Sequence, residues 1–247
     1  MKIKTYIISA VILILVVFLT YWIQFYVVLD YKISKDAADW GQLGDYVGGV
    51  LNPLLGFISI VLLIKSLVLQ YEANSNLKTE IKNSEKTEKL RSFEVLFFNL
   101  ISSQKNLFDT FRVDFKAPGS AVSQLTGVKA VIEIEKKIEE IRQAGGGNSE
   151  IANYLTDIDA DDQIFGLSRA FYIVVMIITD KLSDANGFSS EDRETHFKAL
   201  INFTDFAQLR LIMISVQFLD FESVKYLRSS DEFAKVVNEL GLNYELY

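Results

Sequence analysis

Apolar residues are concentrated in two long runs near the start of the chain. Residues 6–29 contain no charged side chain, and residues 46–69 are interrupted only by Asn52 near the beginning and Lys65 near the end. About 20 apolar residues suffice for a helix to cross the hydrocarbon core of a bilayer. The pattern therefore predicts two membrane-spanning helices, at about 6–29 and 46–69. A buried core helix in a soluble domain remains the alternative for the second run.

Aromatic and charged residues at the ends of these runs predict an orientation. The first run ends in the bulky side chains Tyr21, Trp22, Phe25 and Tyr26, which are typical of an aromatic belt and not of a signal-peptide cleavage site. Basic residues lie before the first run and after the second, whereas residues 30–45 carry four Asp and two Lys. Basic flanks favour the cytoplasm, so residues 1–70 are expected to form a transmembrane hairpin with both termini inside the cell.

The membrane exit of the second span is expected at Lys65 and Gln70, because a lysine can extend its ammonium group to the headgroup layer. Residues 71–90 are polar, lack Pro and Gly, and place Glu and Lys at helical spacing, so they predict a helical stalk. From residue 91 onwards apolar residues recur every three or four positions. The expected fold class is all-α, with a cytoplasmic α-helical domain at 91–247 and no strand pattern.

The first part of this domain contains one clear break, at Pro118 and Gly119. The next helix is expected to be capped by Ser120 or Ser123, with Leu125 as the first residue of its apolar face. Three glycines follow at 145–147, but they lack the Lys and Ser/Thr of a phosphate-binding loop and come after a helix. They are interpreted as a flexible linker.

The acidic residues at 157–162 lack the Gly and Glu of a calcium loop and are interpreted as the start of a helix over about 165–181. A long helix is predicted from about Glu191 to Phe221, with Ser190 as its cap. Two short helices, at about 221–227 and 231–240, are expected to complete the domain.

The chemistry available to this chain is limited, because it contains no Cys and only one His, His196. Disulfides and thiolate metal sites are excluded, and His196 is expected to lie at the surface or in packing. We expect no catalytic residue, no metal and no cofactor. A membrane-bound enzyme remains the least favoured alternative, and it would use an acidic pocket with residues such as Asp157, Asp161 or Glu194.

Charge is unevenly distributed along the chain. Residues 1–70 contain five basic and four acidic side chains, so the remainder contains 20 basic and 28 acidic ones. An acidic domain binds nucleic acid poorly without sequence specificity, because phosphate contacts need clustered Lys and Arg.

Small and polar residues are densest where the second span begins. Gly44 and Gly48 form a small-xxx-small pair, while Gly49 and Gly56 are seven residues apart, so another helix could approach closely. An amide inside the membrane requires a hydrogen-bond partner or water, and a proline makes a kink possible. Two interpretations stay open: these residues pack the two spans of one hairpin, or they serve assembly or conduction. The candidate site comprises Gly44, Asp45, Gly48, Gly49, Asn52, Pro53 and Gly56.

The same stretch resembles a known family. The order W-G-x-x-G-D-x-x-G-G-x-x-N-P begins at Trp40 and Gly41 and ends at Asn52 and Pro53, and an aliphatic span ending in Leu-Val-Leu-Gln at 67–70 follows it. This pattern resembles the phage abortive infection family and two-span effectors encoded beside some retron reverse transcriptases. The resemblance covers about residues 40–72 and extends more loosely to residues 92–101.

The resemblance implies a bacterial inner-membrane effector of antiphage defence that stops the host by disrupting or permeabilising its membrane. It also implies that a partner, such as a retron reverse transcriptase with its nucleic acid, restrains the chain until infection. A homo-oligomer in the lipid bilayer is the expected active form. The alternative is a membrane-tethered sensor or adaptor that recruits another toxic protein through the cytoplasmic domain.

Overall fold

The computed structural model describes residues 3–30, 32–115 and 123–247. In this part of the chain nine α-helices account for most residues, and one short two-stranded sheet accompanies them. The expectation of a helical fold is therefore confirmed, and the expectation that strands are absent is wrong. The chain divides into two compact units, Met1–Lys82 and Asn83–Tyr247.

The first unit contains α1 (Ile3–Trp22) and the beginning of α2 (Ala37–Asp109). The carboxylate of Asp36 accepts a hydrogen bond from the backbone N–H of Ala38 at 3.1 Å and so caps the start of α2. The two helices run antiparallel here, because Lys65 Nζ lies 3.4 Å from the hydroxyl oxygen of Tyr6 while the rings of Tyr21 and Tyr46 lie 5.5 Å apart.

The first apolar run is not α-helical to its end. Ile23–Val28 form a π-helical segment, in which the backbone N–H of Leu29 donates to the carbonyl of Gln24 at 3.1 Å. The segment ends at Val28, and two residues later Asp30 adopts a φ of 51°, which turns the chain away from the helix. The length of the apolar run predicts a span here. It does not distinguish an α-helix, whose backbone hydrogen bonds join residues four apart, from a π-helix, whose hydrogen bonds join residues five apart.

Three helices in the described residues are long and apolar enough to cross a membrane: α1 with its π-helical extension, α2, and α5 (Gln163–Lys181). The number becomes four if the bent pair α6 (Ser190–Phe203) and α7 (Phe206–Phe218) counts as one span. In the first unit the apolar side chains are mostly exposed, with Val17 and Leu51 as the buried exceptions. By contrast, α5 contributes Phe171, Val174 and Ile178 to a protein core.

In the second unit, the end of α2 is followed by an antiparallel hairpin of β1 (Arg112–Phe115) and β2 (Ser123–Thr126). Leu125 therefore lies in a strand opposite Val113, and α3 (Gly127–Gln143) begins after Thr126. The prediction of a helix capped by Ser123 is wrong, because the backbone of this segment is paired with β1. Ser120, Pro118 and Gly119 lie outside the described residues.

The three glycines form a compact turn between α3 and α4 (Asn148–Ile158), and not the flexible linker expected. The N–H of Gly146 donates to the carbonyl of Ile141 at 2.8 Å, and Gly145 adopts a φ of 83°. These are the features of a helix end that closes on a left-handed glycine. A Cβ on Gly146 would lie 2.5 Å from the Ile141 side chain, so the turn excludes larger residues.

The acidic stretch before α5 starts that helix, as expected. Asp159 accepts hydrogen bonds from the backbone N–H groups of Ile164 at 2.7 Å and Phe165 at 3.0 Å. Burial raises the pKa of the Asp159 carboxyl, although these two N–H groups oppose the shift.

The predicted long helix from Glu191 is two helices, α6 and α7, which meet at an angle of 113°. Asp205 begins α7 by accepting a hydrogen bond from the N–H of Ala207 at 2.8 Å, and the Thr204 hydroxyl accepts one from Gln104 at 3.1 Å. The cap of α6 is Ser189, one residue before the predicted Ser190.

The last two helices, α8 (Glu222–Ser229) and α9 (Asp231–Glu239), agree with the prediction to within two residues. They close a core in which α5, α6 and α7 supply most of the buried side chains. A second cluster of buried residues joins α3 and α4 to the opposite side of α7 through Ile134, Leu155 and Leu211. The helices of this unit therefore bury one another.

Candidate functional site

The predicted site residues all lie in the first part of α2, which stays helical despite its glycines and Pro53. Because proline has no N–H, the carbonyl of Gly49, four residues earlier, loses its usual helical donor. Asp45, Gly48, Asn52 and Gly56 recur every three or four residues and so lie along one side of the helix. We call this side, with the neighbouring Gly49, the Gly/Asn face.

A different side of α2 contacts α1. Leu51 is 8% exposed and Val17 of α1 is 5% exposed, which places the tightest packing at these two residues. Leu55 and Ile58, four and seven residues further along the same side, are half-buried. The contact between the two helices therefore consists of aliphatic and aromatic side chains together with Lys65. It leaves Asp45, Gly49, Asn52 and Gly56 of the Gly/Asn face exposed, while Gly48 is half-buried.

Space around the glycines supports this separation of faces. A Cβ built on Gly49 or Gly56 would meet no atom within 4 Å beyond the local helix backbone of the described residues. The same holds for Gly44, although it lies seven residues before Leu51 and so on the side of α2 that contacts α1. At Gly48 the nearest atom is Nδ2 of Asn52, at 3.7 Å, which belongs to the same helix. Close approach is thus available to another helix, and α1 does not use it.

Asp45 and Asn52 are the polar side chains of the Gly/Asn face. Asp45 and Asn52 are exposed, and neither side chain hydrogen-bonds to any residue in the described ranges 3–30, 32–115 and 123–247. In hydrocarbon an unpaired amide costs free energy that a neighbouring helix or water would recover. The face therefore combines room for close approach with groups that need hydrogen bonds.

The two residues predicted at the membrane exit differ in their contacts. Lys65 donates to the hydroxyl of Tyr6 and lies 5.2 Å from the centre of the Tyr6 ring. A cation over an aromatic ring is stabilised by the negative face of the ring. Gln70 is exposed at the helix surface.

The acidic residues named for an enzyme differ in their surroundings. Asp157 and Asp161 are exposed, whereas Glu194 pairs with Lys198 at 2.6 Å and with Lys235 at 3.3 Å. The hydrogen bond from Lys198 lowers the pKa of the Glu194 carboxyl. In the described ranges no three Asp, Glu or His side chains are grouped so as to hold a metal ion.

His196 is a packing residue, as expected. Its ring lies edge-on to Phe93 at 5.0 Å and to Phe97 at 5.6 Å, and Nδ1 lies 2.7 Å from the carbonyl oxygen of Asp192.

A cavity at the other end of α1 was not predicted from the sequence. It measures about 630 Å³ and is lined by aromatic rings together with two charged residues, Lys32 and Asp39. The aromatic belt and the charged loop were visible as separate signals in the sequence. Their convergence depends on the packing of α1 against α2, which the sequence alone does not specify.

Comparison with known proteins gives no match: no family model, no curated protein and no solved structure is similar to this chain.

Proposed function

We propose that the chain is a bacterial inner-membrane effector of antiphage defence, which associates through the Gly/Asn face after infection and permeabilises the host membrane. In this proposal residues 1–70 form the transmembrane hairpin with both termini in the cytoplasm. Residues 71–90 form a helical stalk, and residues 91–247 form a cytoplasmic domain that responds to a partner. The resemblance of residues 40–72 to abortive infection proteins supplies the biological setting.

The observation that supports this proposal best is the uncovered Gly/Asn face. Glycines permit close helix approach, and Asn52 can hydrogen-bond between helices, yet α1 packs on a different side of α2. A second copy of α2 would satisfy both features. An Asp45 and an Asn52 from each copy would then place polar groups along the axis of the assembly, where water and ions can pass.

The energy of such an association fits regulation by a partner. Single interhelical hydrogen bonds contribute about 0.6–2 kcal/mol each in membranes. A partner that binds the resting state with a few kcal/mol of preference would hold the assembly apart. A ribonucleoprotein such as a retron reverse transcriptase with its nucleic acid is the partner we propose as this restraint.

The test measures membrane potential with a voltage-sensitive dye in cells that express the chain, with and without phage. Wild type is expected to depolarise the membrane after infection, and Gly49→Leu and Asn52→Leu are expected to abolish both depolarisation and protection. Phe57→Leu is the matched control, because Phe57 is 66% exposed and points away from the Gly/Asn face. If both site variants still protect and depolarise, the proposed mechanism is wrong.

One observation favours the adaptor as a second candidate. Phe98 and Phe203 are 50% and 61% exposed, and their rings meet edge-on at 6.0 Å; Phe206, 62% exposed, follows at the bend after α6. Exposed aromatic patches on a folded domain often bind other proteins. An adaptor would protect cells without depolarisation, and an unrelated spanning hairpin could then replace residues 1–70.

A further inference from the structure

Aromatic rings and two opposite charges surround the cavity at the end of α1. Its walls include Trp22, Tyr26 and Trp40 together with Lys32 and Asp39. The volume of about 630 Å³ is in the range of sites that bind small organic molecules. Trp22 and Tyr26 stack with ring centres 5.9 Å apart, which fixes one wall of the cavity.

The backbone around the cavity is held in place on both sides. The wall formed by α1 includes the π-helical segment Ile23–Val28, a rare conformation that is frequent at functional sites. On the opposite side, the indole N–H of Trp40 donates to the carbonyl of Ser34 at 3.1 Å, and the Ser34 hydroxyl accepts the N–H of Asp36 at 3.0 Å. These bonds tie the loop to the beginning of α2.

Lys32 and Asp39, the two charged residues at the cavity, are exposed. Neither forms a salt bridge with any residue in the part of the chain that the structure describes. A ligand that carries one positive and one negative group would attract both side chains. A purely anionic or purely cationic ligand would be attracted by one of them and repelled by the other.

The position of the cavity restricts the ligand further. It lies where the first apolar run ends and the second begins, which is the level of the headgroups if these runs span a bilayer. Tryptophan and tyrosine side chains at this level contact glycerol and upper acyl carbons, and their ring faces attract ammonium groups. The ligand class that meets all these conditions is a membrane lipid with a zwitterionic headgroup.

We propose that this cavity binds the headgroup of a zwitterionic phospholipid such as phosphatidylethanolamine. Lys32 contacts the phosphate, Asp39 with the neighbouring Trp40 ring contacts the ammonium group, and the remaining aromatic rings contact the glycerol region. The inference rests on the membrane-spanning part of the proposed function, but it does not require permeabilisation or a role in defence.

The chain offers a direct spectroscopic test, since its two tryptophans, Trp22 and Trp40, both line the cavity. The full chain is reconstituted in vesicles of an uncharged glycolipid, so that the host lipid has no zwitterionic headgroup. The vesicles contain either phosphatidylethanolamine or phosphatidylglycerol, each with bromine on the acyl carbons nearest the glycerol. Bromine quenches tryptophan fluorescence on close contact, so quenching reports occupancy of the cavity.

We expect brominated phosphatidylethanolamine to reach half-maximal quenching at about one third of the concentration that brominated phosphatidylglycerol needs. A solvent-exposed ion pair supports a ratio of this size. Lys32→Gln and Asp39→Asn should each remove this preference. Lys35→Gln in the same loop should retain it, because Lys35 does not line the cavity. Equal quenching by the two lipids in wild type, or a preference for phosphatidylglycerol, would overturn the proposal.

Two further measurements separate the ways in which the proposal could fail. Free phosphoethanolamine should not displace the lipid at matched concentrations; if it restores fluorescence fully, the ligand is a soluble molecule and the lipid assignment is wrong. Flotation of the vesicles is measured first, because a chain that does not enter the bilayer contradicts the proposed function. A chain that floats with the vesicles but shows no lipid preference overturns only this inference.

Discussion

Helices α1 and α7 are both strongly apolar, but their side chains have opposite surroundings. Ten of the 13 residues of α7 are buried against other helices, and Leu211 is 0% exposed. In α1 Leu15 is 62% exposed, and Val17 is the one described side chain that is buried. Leucine in α7 thus stabilises the second unit by contact with other protein side chains, whereas the exposed leucine in α1 has no such contact in the described part of the first unit. The hydrophobic effect favours an apolar environment for the exposed leucines of α1, and α1 with its π-helical extension is long and apolar enough to cross a bilayer.

The largest expected effect comes from a charge in the first span. Leu15→Arg should abolish stable insertion, because an arginine at the centre of a membrane helix costs about 3 kcal/mol and a favourable leucine is also lost. Leu77→Arg is the control, since Leu77 is 54% exposed but lies in the predicted stalk. The fraction of each chain that remains in carbonate-washed membranes measures the effect. Equal retention of both variants would show that exposure in α1 does not reflect lipid contact.

Removal of a buried side chain in the second unit comes next. Leu211→Ala should lower the free energy of unfolding of the chain in detergent by about 3 kcal/mol, because it leaves a cavity in a closed core. Leu107→Ala, at a site 46% exposed, should change it by less than about 1 kcal/mol. Urea unfolding followed by circular dichroism compares the two variants. If the two variants lose similar amounts of unfolding free energy, the assignment of Leu211 to the core is wrong.

A buried cation in the second unit provides a smaller effect. Arg193 is 7% exposed and joins α6 to α9 and to the segment that follows α5. It donates to both carboxylate oxygens of Glu232 at 2.7 Å, to Asp184 at 3.0 Å, and to the carbonyl of Leu182 at 2.9 Å. Both carboxylates keep contact with water, so Arg193→Ala should lower the free energy of unfolding by about 2 kcal/mol. This loss is smaller than the one expected when a fully buried ion pair is broken. Arg169→Ala, at an exposed site, is the control in the same unfolding assay. A loss no greater than that of the control would rule out a structural role for the bridge.

The smallest effect is a pH dependence of the same bridge. The Arg193 hydrogen bond lowers the pKa of Glu232 below its ordinary value of 4.5. The unfolded chain therefore binds this proton more tightly, so the stabilisation is complete above the ordinary pKa and is lost as the pH falls through the lower folded value. Since Glu232 is 45% exposed, the contribution should stay below about 1 kcal/mol.

The measurement for this last prediction is the difference in unfolding free energy between wild type and Glu232→Gln. It should shrink as the pH is lowered from about 7 to about 3, whereas the difference for Glu245→Gln, at an exposed site, should stay small throughout. A difference that grows on acidification would contradict the assigned direction of the pKa.

Sequence periodicity predicted elements whose signal is local and long. The continuous apolar runs in α1 and α5 are examples, and so are the closing helices α8 and α9, whose apolar residues keep a helical spacing. The strand β2 was missed because four residues are too few to distinguish a period of two from a helical spacing, so Leu125 was assigned to a helix. The bend between α6 and α7 was missed because Phe203, Phe206 and Leu209 continue the same spacing across it.

The candidate site shows the same limit. The composition of residues 44–56 pointed to close helix packing, but it could not tell which side of α2 faces α1. That information appears only when Leu51 is seen buried while Gly49 and Asn52 are not. Non-local contacts likewise create the cavity of Trp22, Lys32 and Asp39, which no single segment encodes.

The most direct test of the central claim is disulfide cross-linking in native membranes, because the chain has no Cys and each introduced Cys reports a single position. Ser59 lies seven residues after Asn52 and so on the same side of α2, and Ser59→Cys leaves Asn52 in place, whereas Phe57→Cys points elsewhere from the same helix. After infection and mild oxidation, Ser59→Cys should give a covalent dimer and Phe57→Cys should remain monomeric. Equal cross-linking at the two positions, or a Ser59→Cys chain that depolarises cells while it stays monomeric, would contradict association through the Gly/Asn face.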